Sequence, residues 1–509
     1  MDEKFTVKIF DIMEGRPEAV MNNSDLMTLG IYPLDRIRIS MNGNNVIAIV
    51  KSSIEFIESG FIGVSPEVIK ILPLKNGDIV SVTISEKPQS VSIIKKKMDK
   101  QQLTEENFIS IINDIKSNNL SSVELSAFVS SLYINGMNME EIKFLATQMA
   151  KSGEILNLKN KPIFDKHSLG GVPGNKISLL IVPIIAAAGL TIPKTSSRAI
   201  TSACGTADIM EVLAPVTFDA KQIEKIVNEV GGIITWGGGA NLAPVDDYLI
   251  QIEHNLSLNP RSLAIASIMA KKLAVGANFL VMDLPMGIGT KIPDHEEAKK
   301  FARDFIQIGE ILKIEVECVI TYGDKPIGRA VGPALEAKEA LKALETGEGP
   351  SSLIEKVTEI AGIILEAGGV VIRGKGKELA LEYLKNGKAH KKMLEIISAQ
   401  GGNPSIISDS IQYGKFSKLI KSNSEGYCTH IDNNSITQIV RTAGSPKDKG
   451  AGLYLHVSKG MKIVKDQPLY EIYSNSEDKL EQSVKYANRL RPIKLEGMIL
   501  QRIPDYKMM

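Results

Sequence analysis

The chain has 509 residues, 43% of them hydrophobic and 23% charged, so it is long enough for several buried cores and more than one domain. Its 60 basic and 59 acidic side chains leave a net charge of +1, which excludes a broad electrostatic surface for nucleic acid or anionic membrane and requires any anion site to be local. The longest apolar run, near LLIVPIIAAAGL, is too short to span a bilayer, the first residues lack a signal-peptide pattern, and Cys204, Cys318 and Cys428 are spaced for neither a disulfide framework nor a zinc site. A cytoplasmic protein with reduced thiols and no metal is expected.

Residues 1–86 consist of short β-rich runs, FTVKIFDI, DRIRIS, NNVIAIV and GDIVSVTIS, which predict an N-terminal β barrel. Two of its segments, YPLDRIRI and LPLKNGDIVSVTI, share a Pro-Leu start, an Asp and a β-branched strand, the pattern of an internal duplication. The lysine-rich EKPQSVSIIKKKMDKQQ then reads as a linker with a solvated charged face. Residues 100–165 carry helical periodicity, with Ser121-x-x-Glu124 and Asn138-x-x-Glu141 as N-capping signals. A further segment of this helical domain is expected near 190–240. Residues 166–410 alternate strand-like runs (FLVMDLP, IEVECVITYG, GGVVIRG) with helical ones (AKKFARDFIQIGEIL, ALEAKEALKALE), predicting a central α/β domain with a mixed sheet. Residues 411–509 return to β-rich segments around the helical EDKLEQSVKYANRL, a C-terminal α+β domain. The expected fold class is therefore multidomain α/β.

Two polar clusters carry the chemistry. In KHSLGGVPGNKISL, Gly170, Gly171 and Gly174 let backbone N–H groups turn toward an anion, Ser168 adds a neutral donor, and Lys166 and Lys176 supply countercharge. The spacing matches neither the P-loop nor the dinucleotide GxGxxG pattern. After one apolar element comes PKTSSRAITSACGTAD, which offers Lys194, Ser196, Ser197, Arg198, Thr201, Ser202 and Thr206. Two such clusters suit a shared anionic ligand. The glycines of WGGGANLAP read as a strand-to-loop turn, and His430 and His456 as structural.

KHSLGGVPGNKISL, SSRAITSACGTAD, GGANLAPVDD, ASIMAKKLAVGANFLVMDLPMGIGTK and GRAVGPALEAKEAL, in that order, resemble the nucleoside phosphorylase family that includes thymidine phosphorylase, and most closely its archaeal AMP-phosphorylase branch, which has the extra N-terminal β domain. The resemblance implies phosphorolysis of a nucleoside 5′-monophosphate (AMP, with CMP and UMP as further candidates) by inorganic phosphate. The products are free base and ribose 1,5-bisphosphate, and no cofactor is required. It also implies a homo-oligomer, a dimer or a larger assembly, with the ligands held between the helical and α/β domains. Carried over position by position, its ligand contacts fall on Gly171, on Ser197, Arg198, Ala199, Ile200, Thr201 and Ser202, and on Thr206, Ser267 and Lys291. Physically, Thr206 and residues 197–202 suit phosphate and ribose, Ser267 the base, and Lys291 an anionic substrate. Lys166, His167 and Ser168 occupy the motif that lines the phosphate and base pockets, with His167 either catalytic or a packed histidine. Lys271, one helical turn from Ser267, is expected to point into the same pocket, and its neighbour Lys272 to face solvent.

Two positions depart from the family pattern. Glu253 stands where the nucleoside enzymes read a pyrimidine with arginine, and either accepts from an exocyclic amine or is simply exposed. In LSLNPRS, Asn259 occupies the position of the aspartate that protonates the leaving base, and an amide donates a hydrogen bond but delivers no proton. Either Asn259 stabilises the base by hydrogen bonding alone, or Glu253, Asp246, Asp247 or His167 acts as the acid, or turnover is reduced. The rival readings are a pyrimidine-nucleoside phosphorylase, a phosphoribosyltransferase, and a nucleotide-binding protein with little turnover.

Overall fold

The computed structural model describes residues 3–13, 15–199 and 202–498. The chain divides into two compact units, one of residues 1–152 with 244–266, the other of residues 153–243 with 267–509.

The first unit begins with six strands, β1 (Glu3–Ile9), β2 (Glu18–Asn22), β3 (Arg36–Met41), β4 (Asn44–Ser53), β5 (Phe61–Val64) and β6 (Ile79–Ser85), closed into a barrel in the order β1-β5-β2-β4-β3-β6. Strand alternation puts Phe5, Val7, Ile37, Ile39, Val80 and Val82 into one apolar interior. The duplication is visible in the pairing. Exchanging β1, β2 and β3 for β4, β5 and β6 maps parallel β1–β5 onto parallel β2–β4, and antiparallel β1–β6 onto antiparallel β3–β4. A short helix precedes each of the equivalent strands β3 and β6, over Asn23–Leu29 and Pro66–Ile71.

Helices Gln89–Met98, Glu105–Lys116, Ser122–Asn135, Met139–Lys151 and Pro244–Leu256 form the rest of this unit. Ser121 and Glu124, and Asn138 and Glu141, make the two reciprocal capping boxes expected, each satisfying backbone N–H groups that a helix start leaves open. The lysine-rich segment is no solvated linker. It folds as Gln89–Met98 with Ile93, Ile94 and Lys97 buried, because Glu141 receives the Lys97 ammonium at 2.6 Å. The barrel is fastened to the bundle by Arg36, which pairs with Glu124 and donates from Nε to the Asn119 carbonyl at 2.8 Å.

The second unit is built on β7 (Phe164–Ser168), β8 (Ile192–Ser196), β9 (Gly232–Trp236), β10 (Phe279–Met286) and β11 (Glu315–Tyr322). Parallel β11-β10-β7 and parallel β8-β9 are joined by a parallel bridge between Ile163 and Thr191. Among the described residues this sheet is parallel throughout, rather than mixed, since helices return the chain between successive strands. The segment near 190–240 supplies β8 and β9 instead of helices of the first unit, to which residues 244–266 belong. GGVVIRG lies in turns and bends after helix Ser351–Ala367 and forms no strand.

Helix Ser178–Ala187 crosses from β7 to β8 and is buried from Ser178 to Ala186, which explains an apolar run without a polar face. Helices Ser351–Ala367 and Lys388–Ala399 cover it, in a core with Phe164, Val281, Leu341, Ile360 and Ile396. Beyond lie two antiparallel sheets. The first is β12 (Ala330–Val331), β15 (Gly452–Leu455), β17 (Pro468–Ser474) and β13 (Phe416–Lys421); the second is β16 (Lys462–Ile463), β14 (Gly426–Ile431) and β18 (Ile493–Glu496). Helices Asn433–Thr442 and Glu477–Leu490 pack on them, an α+β arrangement with its own core. Among the described residues no helix is long and apolar enough to cross a membrane.

Candidate anion site at the strand ends

Parallel strands end together, and the crevice beyond their carboxyl ends is where open α/β sheets hold ligands. Here β7 ends in Lys166, His167 and Ser168, and β8 carries Lys194. Lys166 is 3% exposed, Lys194 5% and Lys272 1%, while Asp165 and Asp283 are completely buried. The helix over Arg261–Ala274 brings Lys272 onto Asp165 in a direct ion pair. Lys272 is thus a core residue and does not face solvent. On the other side Asp283 of β10 receives Lys356 at 2.8 Å, the Ser168 hydroxyl at 2.5 Å and the Thr321 hydroxyl at 2.5 Å.

Both carboxylates therefore have a lysine of their own, and two lysines are left over. Lys194 stands 4.0 Å from Asp165 and donates to the Thr195 carbonyl at 2.5 Å. Among the described residues, no carboxylate lies within ion-pairing distance of the Lys166 ammonium. Burial pushes Lys166 down to about 7, Asp283 opposing and Lys194 and Lys356 reinforcing the shift. Burial and then Lys272 bring Lys194 to about 7 as well. Burial and the charges of Lys272, Lys194, Lys166 and Lys271 hold His167 well below the usual imidazole range, so the ring is neutral at pH 7. Asp283 stays below the ordinary carboxyl value: burial opposes its charge, but Lys356 and Lys166 outweigh it.

Gly171 has φ +91°, and a Cβ there would come within 3.0 Å of the Lys291 backbone nitrogen, so the glycine turn and residues 290–291 are in contact. Lys176, buried, donates to the carbonyls of Ile327 and Ala330 at 2.9 and 3.1 Å and to Glu339 at 2.6 Å, which anchors the far end of the same loop. It supplies no countercharge to a ligand.

The second cluster is held by acids and by C-terminal residues. Asp208 accepts from the Ala199 and Gly205 backbone nitrogens at 2.8 and 2.9 Å. Arg198 forks onto Glu211 at 2.5 and 2.7 Å, approaches Asp208 at 3.3 Å and lies over the Trp236 ring at 5.1 Å, so its charge is engaged within the loop. Lys449 reaches Glu211 at 2.7 Å, Arg441 donates to the Ser202 carbonyl at 3.1 Å and Ser445 to the Ala203 carbonyl at 2.7 Å. Ser197 is exposed, Ala199, Ser202 and Thr206 are half-buried, and Ile200 and Thr201 lie outside the described residues. Ser267 is buried and Lys271 half-buried on their helix, and Lys291 is exposed. Asn259 is exposed in the loop between helices Pro244–Leu256 and Arg261–Ala274, in the first unit, where Glu253 is half-buried, Asp246 buried and Asp247 exposed.

Asp165, Asp283, Lys356 and Thr321 escaped the sequence reading. A lone carboxylate inside FLVMDLP was the one available signal for Asp283, since an unpaired charge in an apolar strand is costly. Lys356, on an ordinary amphipathic helix, gave none.

Comparison with known proteins agrees with this architecture. Residues 91–153 match the helical bundle domain of the glycosyl transferase family, 160–390 its a/b domain, and 427–494 the pyrimidine nucleoside phosphorylase C-terminal domain. A solved structure of anthranilate phosphoribosyltransferase from Thermus thermophilus superposes with a TM-score of 0.51 at 19% identity, over 61% of this chain and 99% of that one, a likeness of fold alone. The chain is 50% identical to the AMP phosphorylase of Methanocaldococcus jannaschii, over 96% of this chain and 97% of that protein. It is 49% identical to that of Pyrococcus furiosus, over 98% and 99%. Similarity at this level along nearly the whole length places the chain in the AMP phosphorylase family.

Proposed function

We propose that this protein cleaves AMP with inorganic phosphate, releasing adenine and forming ribose 1,5-bisphosphate, with CMP and UMP as further substrates. The observation that carries the reading is the surplus of buried lysine charge at the carboxyl ends of a parallel sheet, a place where an anion supplies what the protein does not. A phosphate oxygen attacks C1′ as the C1′–N bond breaks, and the electron pair leaves with the base, which takes up a proton. Lys166 and Ser168 hold the attacking phosphate, aided by the glycine turn at Gly171. Residues 197–202 and Thr206 hold the ribose and its 5′-phosphate, with Lys291 adding charge, while Ser267 and Lys271 hold the base. Binding both reactants in line removes the entropy cost of their encounter. Neutral His167 serves as a hydrogen-bonding group and not as a proton store. The working parts are a barrel over 1–86, a helical bundle, a central α/β domain and a C-terminal domain from 411, assembled as a cytoplasmic homo-oligomer.

Asn259 stands where the family pattern calls for an acid, and general acid catalysis is worth about 10²–10⁴ in rate. Asn259→Asp is accordingly expected to raise kcat for AMP with little change in KM. Equal activity of the two proteins would mean that the proton reaches the base by another route. The primary test is adenine release from AMP with and without inorganic phosphate, beside cytosine and uracil release from CMP and UMP. Phosphate-dependent release with ribose 1,5-bisphosphate as co-product is expected; release from adenosine but not AMP, or phosphate-independent release, overturns the reading.

A further inference from the structure

The groups within electrostatic reach of one another around the end of β7 are Asp165, Lys166 and His167 of that strand, Lys194 from β8, Lys271 and Lys272 from one helix, Asp283 from β10 and Lys356 from another. Lys272 is matched to Asp165 and Lys356 to Asp283. With Lys166 and Lys194, both buried, added to those pairs, four lysines stand against two carboxylates, a surplus of two charges. A buried cation without its own anion is strongly penalised, and the penalty is relieved either by losing the proton or by gaining an anion. We infer that Lys194, lying outside the glycine-rich motif, completes with Lys166 a site for one tetrahedral dianion, and that filling the site draws protons onto this lysine pair. The inference rests on the phosphorolysis reading above and deepens it. It gives Lys194 a role in anion affinity, and it makes that affinity depend on proton concentration.

The direction of both lysines supports the coupling: burial brings each to about 7, with Asp283 opposing and Lys194 and Lys356 reinforcing the shift at Lys166, and Lys272 reinforcing it against Asp165 at Lys194. A dianion supplies the opposite charge that offsets the lysine–lysine repulsion and the cost of burying a cation without a partner, so the bound form holds more protons than the empty one, and affinity falls as pH rises through about 7. In the empty protein the same lysines bind fewer protons than in the unfolded chain between about 7 and the ordinary lysine value of about 10.4. Their contribution to stability therefore grows with pH across that window.

The test uses the full chain and sulfate, which stays dianionic throughout and so carries no proton of its own. Calorimetric titration at pH 6.5 and 8.5, in buffers of different ionisation heat, reads affinity and proton uptake together. The parent is expected to bind one sulfate with net proton uptake, more tightly at pH 6.5. Lys194→Met is expected to weaken binding roughly tenfold to a hundredfold, the worth of a charge-assisted contact, and to reduce the uptake. It is also expected to raise the melting temperature without sulfate, because a buried unmatched cation has become an apolar side chain of similar length. Lys194→Arg keeps the charge and is expected to keep binding at pH 8.5 with less uptake. Should Lys194→Met bind sulfate like the parent, with the same uptake, while Lys166→Met has lost it, Lys194 has no part in the site and the inference is overturned. A parent that binds neither sulfate nor phosphate and releases no adenine overturns the underlying reading as well.

Discussion

Lys272 and Asp165 meet where neither has access to water, so removing either leaves a buried charge without its direct partner. Lys272→Met is expected to cost about 3–5 kcal/mol, the usual penalty for leaving one member of a buried pair, read from denaturant unfolding. Lys194→Met, a few ångströms away in the same layer, is expected to do the opposite in sulfate-free buffer. That contrast follows from charge bookkeeping and not from burial, since both lysines are buried. Sequence reading reached Lys166, His167, Ser168 and Lys194 because they stand in glycine- and hydroxyl-rich motifs. It placed Lys272 on the surface because helical spacing put its neighbour Lys271 on the face of Ser267. Nothing local reveals that the opposite face of that helix is also covered, by a strand carrying Asp165.

At the scale of elements, the loop after β8 is held from two sides. Pairing with Arg198 and Lys449, against the opposing effect of burial, holds the Glu211 carboxyl down to about 2, from an ordinary 4.5. A carboxyl depressed in this way contributes its stability above the unfolded value, and loses it as pH falls from there through about 2. The chain has one tryptophan, Trp236, and Arg198 lies over it. Its fluorescence is expected to stay level from pH 8 to about 5 and to change as pH falls toward about 2, whereas Glu211→Gln should show the altered signal already at pH 7. Constant fluorescence in that variant would show that the salt bridges do not set the loop. In the bundle, Ser121→Ala is expected to cost about 1 kcal/mol through loss of the cap, seen as a melting shift of roughly 2–4 °C for a unit of this size. The capping boxes were legible in sequence because both partners lie three residues apart on the same chain. Lys449, Arg441 and Ser445, which grip the loop from more than two hundred residues away, were not.

For the whole molecule, the division into two compact units predicts more than one transition in scanning calorimetry. Lys166, Lys194, Asp165 and Asp283 all belong to the second unit, so sulfate is expected to raise a transition of that unit by mass action and leave the other where it was. A single transition that sulfate moves as a whole would mean the units unfold together. Arg36→Met is expected to loosen barrel from bundle within the first unit without altering sulfate binding.

The barrel and its duplication, the capped helices and the alternation of strands and helices in the central domain were legible in the amino-acid sequence, as were the two glycine- and hydroxyl-rich motifs. Each of these depends on residues close together along the chain, through strand alternation, helical period or backbone freedom at glycine. Three features emerge only in three dimensions: residues 244–266 rather than 190–240 join the helical unit, the central sheet is parallel among the described residues, and the lysine-rich segment after the barrel is a packed helix. The tertiary structure also decided which lysines are matched and which are left over. An ion pair between Lys272 and Asp165, or Lys356 and Asp283, spans chain separations that carry no local pattern, and the cost of a charge depends on what surrounds it in space.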